Sequence, residues 1–394
     1  MDLVDQRFRF LLASRAARSV ALSFSAVAYP LYLSLIGFSY VNVGIMTFLV
    51  MLFTVFQSLL LGFLGDRIGF KSILIIGDVF PIISLLALAL FHNGPLIYLS
   101  VIGGIGGGPG GMRGAFSTGT TAIVAKNWEE PSSRVVKLSL LTSTGALFST
   151  AGGGMVISRS SLIPLFGSTG SYRILFLASS ILMLASVLFL VFVAEREVHV
   201  QREKHQIISK KSRSHVMKVV IANSFNGAGI GIAMPILSLW FAAMFPYAGS
   251  TEIGVVFTIS YLSMAVGSFI SPRISFARNN PSKVGSYGRM LQGLLMVVVA
   301  FSPFFWIAGV IYIGRMFIAG FGTPSRTSIN VGGLSSGDYG SGSSIQASAA
   351  RIAQTTSGAS GYLMDLSLPL PEIVGGTIQF FAGVIFMALF GRKK

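Results

Sequence analysis

The feature that most constrains this chain is a recurring block of about twenty apolar residues, repeated from near the N-terminus to near the C-terminus with only short polar breaks. Wound as a helix at ~1.5 Å per residue, a block of that length crosses a hydrocarbon core of ~30 Å. Within lipid the backbone N–H and C=O groups find no water, so each block must satisfy them along its own length, which a helix does. Composition agrees with this reading. The chain is 53% hydrophobic and only 11% charged, with a mean hydropathy of +0.75, against about 25% charged residues in soluble domains. An ordinary water-soluble fold is excluded, and an all-α integral membrane protein is predicted.

Twelve spans are predicted, near 10–36, 41–64, 72–91, 96–124, 135–157, 171–194, 217–244, 252–271, 284–301, 304–325, 343–364 and 371–390. With the N-terminus inside, the tail, the segments 65–71, 125–134, 195–216, 272–283 and 326–342, and the C-terminus all face the cytoplasm. Those segments carry Arg67, Lys71, Arg196, Arg202, Lys204, Lys210, Lys211, Arg213 and most other basic residues, whereas Arg159 and Arg173 are the two left outside. By the positive-inside rule both termini are cytoplasmic, in a multi-pass protein of the cell membrane. The net charge of +16 is then a topology signal, helped by anionic lipid headgroups, and nucleic acid is not expected as a partner.

The polar run at 195–216 divides six spans from six. The expected organisation is an N-terminal six-helix bundle (1–195), a basic cytoplasmic linker (196–216) and a C-terminal six-helix bundle (217–394). An even split invites a search for an internal repeat. Gly62 to Lys71 (GFLGDRIGFK) aligns with Ser268 to Ala277 (SFISPRISFA), and Tyr29-Pro30-Leu31 aligns with Met234-Pro235-Ile236. Tyr98 and the glycines up to Pro109 match Tyr312, Gly320, Gly322 and Pro324 in pattern.

Gly62, Leu64, Asp66, Arg67, Gly69 and Lys71 resemble the loop signature G-x-L-a-D-R-x-G-r-K of the major facilitator superfamily, placed as in that family after the second of twelve spans. The fifth span carries Gly145, Gly153 and Gly154 of the family's antiporter pattern, with Ser149-Thr150 where Gly-Pro is usual. The resemblance implies two pseudo-symmetric six-helix bundles that rock about a central site. It also implies that Gly62, Asp66, Arg67, Gly69 and Lys71 form a conformational latch against the start of the eleventh span, and that spans one, four, seven and ten line the cavity.

Polar and ionisable groups within spans are costly in lipid and are therefore functional candidates. On the cavity spans these are Arg15 and Arg18 (span one), Arg113 (four), Asn223 and Asn226 (seven) and Arg315 (ten). Arginines with no acid on those spans predict a positive cavity, and the guanidinium fork suits carboxylate or phosphate. The substrate-binding set is Arg18, Arg113, Asn223, Asn226 and Arg315, unless the arginines snorkel to the interface instead. Asp78 is the single carboxylate expected within the membrane, either as a proton site or paired with an arginine. Lys137 and Arg289 are expected as interface anchors, and Asp365 and Glu372 as solvated flanks of a loop.

Other chemistries find little support. The chain has no cysteine, which excludes disulfides and thiolate metal sites, and its histidines fall in or beside loops. A formal G-x-G-x-x-G at Gly106, Gly108 and Gly111 follows a membrane span rather than a strand, so it reads as a small helix face near a bend at Pro109. No paired carboxylates, Ser/His pair or metal cluster suggests an enzyme, and no cofactor is expected. The predicted function is proton-coupled secondary transport of a small organic solute, preferably an organic anion, carried out by a monomer. The rival readings are proton antiport of amphipathic or cationic drugs, and a channel or lipid scramblase.

Overall fold

The structure is a computed structural model and describes residues 3–91, 94–105, 114–128, 130–195, 208–274, 279–335 and 339–391. Among the described residues there is no β-strand. The helices make twelve passes, labelled here α1 (Leu3–Leu35), α2 (Tyr40–Ile68), α3 (Phe70–Leu90), α4 (a 3-10 turn Pro95–Gly103 and a helix Gly114–Asn127), α5 and α6 (the arms 131–166 and 168–191 of Pro131–Val191), α7 (Lys210–Ala233 and Leu237–Met244), α8 (Ser250–Ile270), α9 (Pro281–Ala300), α10 (Phe305–Gly332), α11 (Tyr339–Ala353 continuing to Gly358–Leu366) and α12 (Leu370–Phe390). Eight helical stretches among the described residues are long and apolar enough to cross a membrane.

Local chemistry explains where the expected boundaries move. The predicted segment 65–71 shrinks to one residue, because α2 runs on to Ile68 and Gly69 turns the chain with φ 87°, a conformation open to glycine at little cost. The predicted break at 157–171 is helical apart from Gly167, whose φ of 70° bends α5 into α6. Arg159 and Arg173 are accordingly helix residues rather than loop charges. Arg159 lies 4.1 Å from the Tyr172 ring and donates to Ser168 O, and Arg173 donates to Ala89 O and Leu90 O, closing the C-terminal carbonyls of α3. At the start of the second half, Ser209 accepts from Ser212 N at 3.4 Å and caps α7 at Lys210, so residues 210–216 of the expected linker belong to the helix. The paired prolines of the repeat part ways: Pro30 is carried inside α1, whereas Pro235 lies in the break within α7.

Within each half, close backbone approaches join equivalent passes. In the first half α1 lies against α5 and α6, with Phe24 meeting Phe176 edge-on at 5.4 Å. In the second, α7 and α9 both lie against α12, and α8 against α10. The largest buried cluster contains Tyr29, Tyr32 and Phe176 of the first half and Trp240, Phe241, Phe257, Phe305 and Tyr312 of the second.

The halves meet along three seams in the part of the molecule away from the termini. Ser238 of α7 donates to Val27 O of α1 at 2.7 Å. Between α5 and α8 a Cβ on Gly153 would lie 2.8 Å from Thr258 N, and Arg159 bonds Ser250. Between α2 and α11 a Cβ on Gly44 would lie 2.7 Å from Gly361 N, and one on Gly361 would strike Tyr40 O at 1.9 Å. Backbones this close admit only glycine. Toward the termini, Arg351 of α11 reaches across to Ser58 of α2 at 2.5 Å.

Candidate functional site

Each half buries a polar cluster at its centre. In the first, Arg18 of α1 and Asp78 of α3 form an ion pair, 3% and 0% exposed. The other carboxylate oxygen of Asp78 accepts from Ser186 of α6 at 2.8 Å, and Ser186 meets Ser14 at 2.8 Å. The Arg18 guanidinium lies 4.6 Å from the centre of the Phe116 ring of α4, a cation–π contact strengthened by burial. One turn earlier Arg15 donates to Leu141 O of α5 at 3.2 Å and is 2% exposed. These arginines are buried inside the half rather than snorkelling to its surface. The acid that neutralises Arg18 comes from a span outside the expected cavity set.

The second half repeats this arrangement with the charges rearranged. An interval of 205 residues separates Arg18 from Asn223, as it separates Pro30 from Pro235. An interval of 211 separates Asp78 from Arg289, as it separates Phe70, the first residue of α3, from Pro281, the first of α9. In the second half Arg289 donates to Asn223 Oδ1 at 2.5 Å and to Ala222 O at 3.2 Å, and lies 4.5 Å from the centre of the Phe386 ring of α12. Arg289 is 3% exposed, so the expected interface anchor is instead the interior counterpart of Asp78.

Among the described residues, a further network occurs in the second half alone. Arg315 of α10 donates to Gln379 Oε1 of α12 at 2.9 Å, and Gln379 Nε2 donates to Asn226 Oδ1 of α7 at 3.3 Å. Two residues of the expected binding set, Arg315 and Asn226, are thus brought together through an amide that sequence reasoning passed over. Glu372 is a correction. Expected as a solvated loop flank, it is 0% exposed in the first turn of α12, and neither carboxylate oxygen has a hydrogen-bond partner. It interacts electrostatically with Arg315 and Tyr312, whose Nε and OH also lack partners. Asp78 is therefore not the sole buried acid. Asp365 is exposed, as expected.

The signal for this second acid was present in the sequence. Glu372, Gly375, Gly376, Gln379 and Gly383 follow the spacing i, i+3, i+4, i+7, i+11, which puts one polar and small stripe on the inner face of α12.

The expected latch is only partly described. Arg113 and the side chains of Gly62, Asp66 and Arg67 lie outside the described residues, although α2 remains helical through them. At its end, Lys71 Nζ donates to Val191 O of α6 at 2.6 Å, and the Glu195 carboxylate accepts from Phe70 N and Lys71 N at 3.1 and 2.7 Å. A carboxylate at a helix N-terminus meets both unpaired donors and the positive end of the helix dipole. Gly69, Lys71 and the last residues of the first half thus form one knot.

Twelve passes in two halves with equivalent buried clusters define a duplicated helical membrane protein. The family model of the Major Facilitator Superfamily matches residues 11–361, and the chain belongs to that family, as a membrane-spanning transporter. Its fold is similar to that of the nucleoside transporter NupG, with a TM-score of 0.72 at 14% identity over 98% of this chain and 100% of that one. It is also similar to the human organic anion transporter MFSD10 (TETRAN), with a TM-score of 0.68 at 15% identity over 96% of this chain and 99% of that one. No curated protein sequence matches this chain.

Proposed function

We propose that this protein moves a small organic anion across the cell membrane, with both termini in the cytoplasm, by proton-coupled alternating access. The observation that carries the reading is Arg315. It is a buried guanidinium held by the neutral amide of Gln379, with a free Nε and, among the described residues, no carboxylate at ion-pair distance. A buried cation without a counter-ion is costly, and an anionic solute supplies one. Arg315 and Asn226 are the substrate contacts that this geometry favours, with Arg113 of the fourth span as a further candidate. Arg18 and Asn223 serve instead to hold their own halves together internally, since each is engaged within its own bundle.

Purified protein in proteoliposomes tests the reading. Carboxylates, phosphates, nucleosides and cationic amphiphiles are first screened by thermal shift, and the stabilising solutes are then followed for uptake under an imposed proton gradient. Anions are expected to stabilise the protein, to accumulate above equilibrium, and to lose both effects in Arg315→Ala. Stabilisation by cations alone, or flux that never exceeds equilibrium, overturns the proposal in favour of drug antiport or a channel.

A further inference from the structure

We propose that Glu372 carries the coupling proton of this transporter, with Arg315 as its alternating partner; the inference rests on the proton-coupled reading above. Three neighbouring polar groups are buried and incompletely satisfied: the two oxygens of Glu372, the hydroxyl of Tyr312 and Nε of Arg315. An ionised carboxylate in such a place has given up water and gained no hydrogen bond, whereas a carboxylic acid leaves no charge to compensate. Arg315 is near enough to act on Glu372 electrostatically yet makes no ion pair with it, and donates to Gln379 instead. The arrangement suits a protonated Glu372.

The pair then has two states. With the proton on Glu372, Arg315 is free of its acid and can hold the anionic solute. When Glu372 gives its proton to water on the side to which the site is open, the new carboxylate claims Arg315 and the solute is released. Proton and anion therefore travel together, because one guanidinium serves Glu372 and the anionic solute in turn. Asp78 does not play this part, since both of its oxygens are engaged, by Arg18 and Ser186.

Other groups on the packed elements stand apart from this exchange. On α9, Arg289 is stacked on Phe386, and on α7 the His215 ring meets Phe390. Both aromatic partners lie near the far end of α12, fourteen residues or more beyond Glu372. Lys283 and Tyr287 of α9 sit toward the same end, with Tyr287 exposed, as do Lys210, Arg213 and Lys218 of α7; Tyr362 and Asp365 of α11 are exposed. A sodium ion is disfavoured by the adjacent Arg315.

Infrared difference spectroscopy on the purified, solute-free protein in detergent reads the proton directly. The C=O band of a protonated carboxyl is expected at neutral pH and to vanish on alkalinisation. Labelling with 13C-glutamate should shift it and 13C-aspartate should not, which needs no variant to fold. Glu372→Gln should abolish the band, Glu372→Asp should restore one, and Asp78→Asn should leave it unchanged. A band that survives Glu372→Gln or follows aspartate labelling overturns the assignment, as does the absence of any band in the wild type. Loss of the band on adding sodium at fixed pH also overturns it. Because no transport is involved, failure of the transport reading would show in proteoliposomes and leave this measurement standing.

Discussion

The Arg18–Asp78 pair gives the most quantitative test of how the first half is held together. Both partners are almost fully buried, so removing one leaves the other charged and without a counter-ion. Breaking a buried pair from one side typically costs about 3–5 kcal/mol, whereas replacing both partners by apolar groups of similar volume is often neutral or better. Asp78→Ala also removes the acceptor of the Ser186 bond, which adds about 1 kcal/mol. We therefore expect Asp78→Ala to destabilise by roughly 4–6 kcal/mol, taking these two terms together. Arg18→Met should fall in the same range of about 3–5 kcal/mol, and the double variant Arg18→Met/Asp78→Leu should lie within about 1.5 kcal/mol of wild type.

Equilibrium unfolding in mixed micelles, followed by helical circular dichroism, supplies the four free energies of the cycle. The single losses sum to about 7–11 kcal/mol, so with a double loss of at most about 1.5 kcal/mol the coupling energy is at least about 5.5 kcal/mol, above the ~0.5–3 kcal/mol usual for neighbouring residues because each single variant strands a buried charge. The reasoning is refuted by a coupling below about 0.5 kcal/mol, the level at which independent sites add. It is also refuted if the double variant is as unstable as the worse single one, for then the charge is not what the partners supply to each other.

Two other predictions concern the seams and the turn. In Gly361→Leu the new side chain meets Tyr40 O, so α2 and α11 should part; a cysteine placed at Thr47, buried in α2 three residues past Gly44, should become more reactive to a maleimide. Unchanged labelling would mean that the seam does not depend on that contact, and the cysteine-free background makes the introduced thiol unique. Glu195→Ala should cost about 0.5–2 kcal/mol, as loss of a helix cap does, with faster hydrogen exchange at the amides of Phe70 and Lys71; unaltered exchange there would remove the cap from the account.

Much of the architecture was legible because lipid leaves few alternatives: a long apolar run must be a helix, and basic residues bias its flanks. The turns were harder to place. Gly69 and Gly167 each replace an expected loop by a single residue with positive φ, and a glycine in a sequence does not announce which of its conformations it adopts. The site was legible by residue type and poorly legible by partner. Arg18, Asp78, Asn223, Asn226 and Arg315 were all singled out, but that Arg18 belongs to Asp78 and Asn223 to Arg289 depends on which helix faces are apposed. Glu372 was misplaced for a physical reason. Two residues into a helix, next to prolines, an acid looks like an exposed first-turn residue, and only the stripe through Gln379 places it inside.

The comparison of the two halves suggests why one of them holds the better candidate for a working site. At equivalent positions the first half places a cation on α1 and an anion on α3, while the second places an amide on α7 and a cation on α9. The Arg18–Asp78 pair is neutral within itself and closed by Ser186, so rearranging it would separate two buried charges. In the second half the guanidiniums of Arg289 and Arg315 are met by amide oxygens, which hydrogen-bond without neutralising. Glu372 is the acid within electrostatic range of Arg315, and it forms no ion pair. A network joined by neutral bonds is cheaper to open than one joined by an ion pair, since net stabilisation is about 1 kcal/mol per neutral bond against about 3–5 kcal/mol for leaving a buried charge alone. Duplication followed by this exchange of residues thus leaves a closed ion pair in one half and an adjustable charge in the other, an asymmetry that the proposed coupling of an anion to a proton would use.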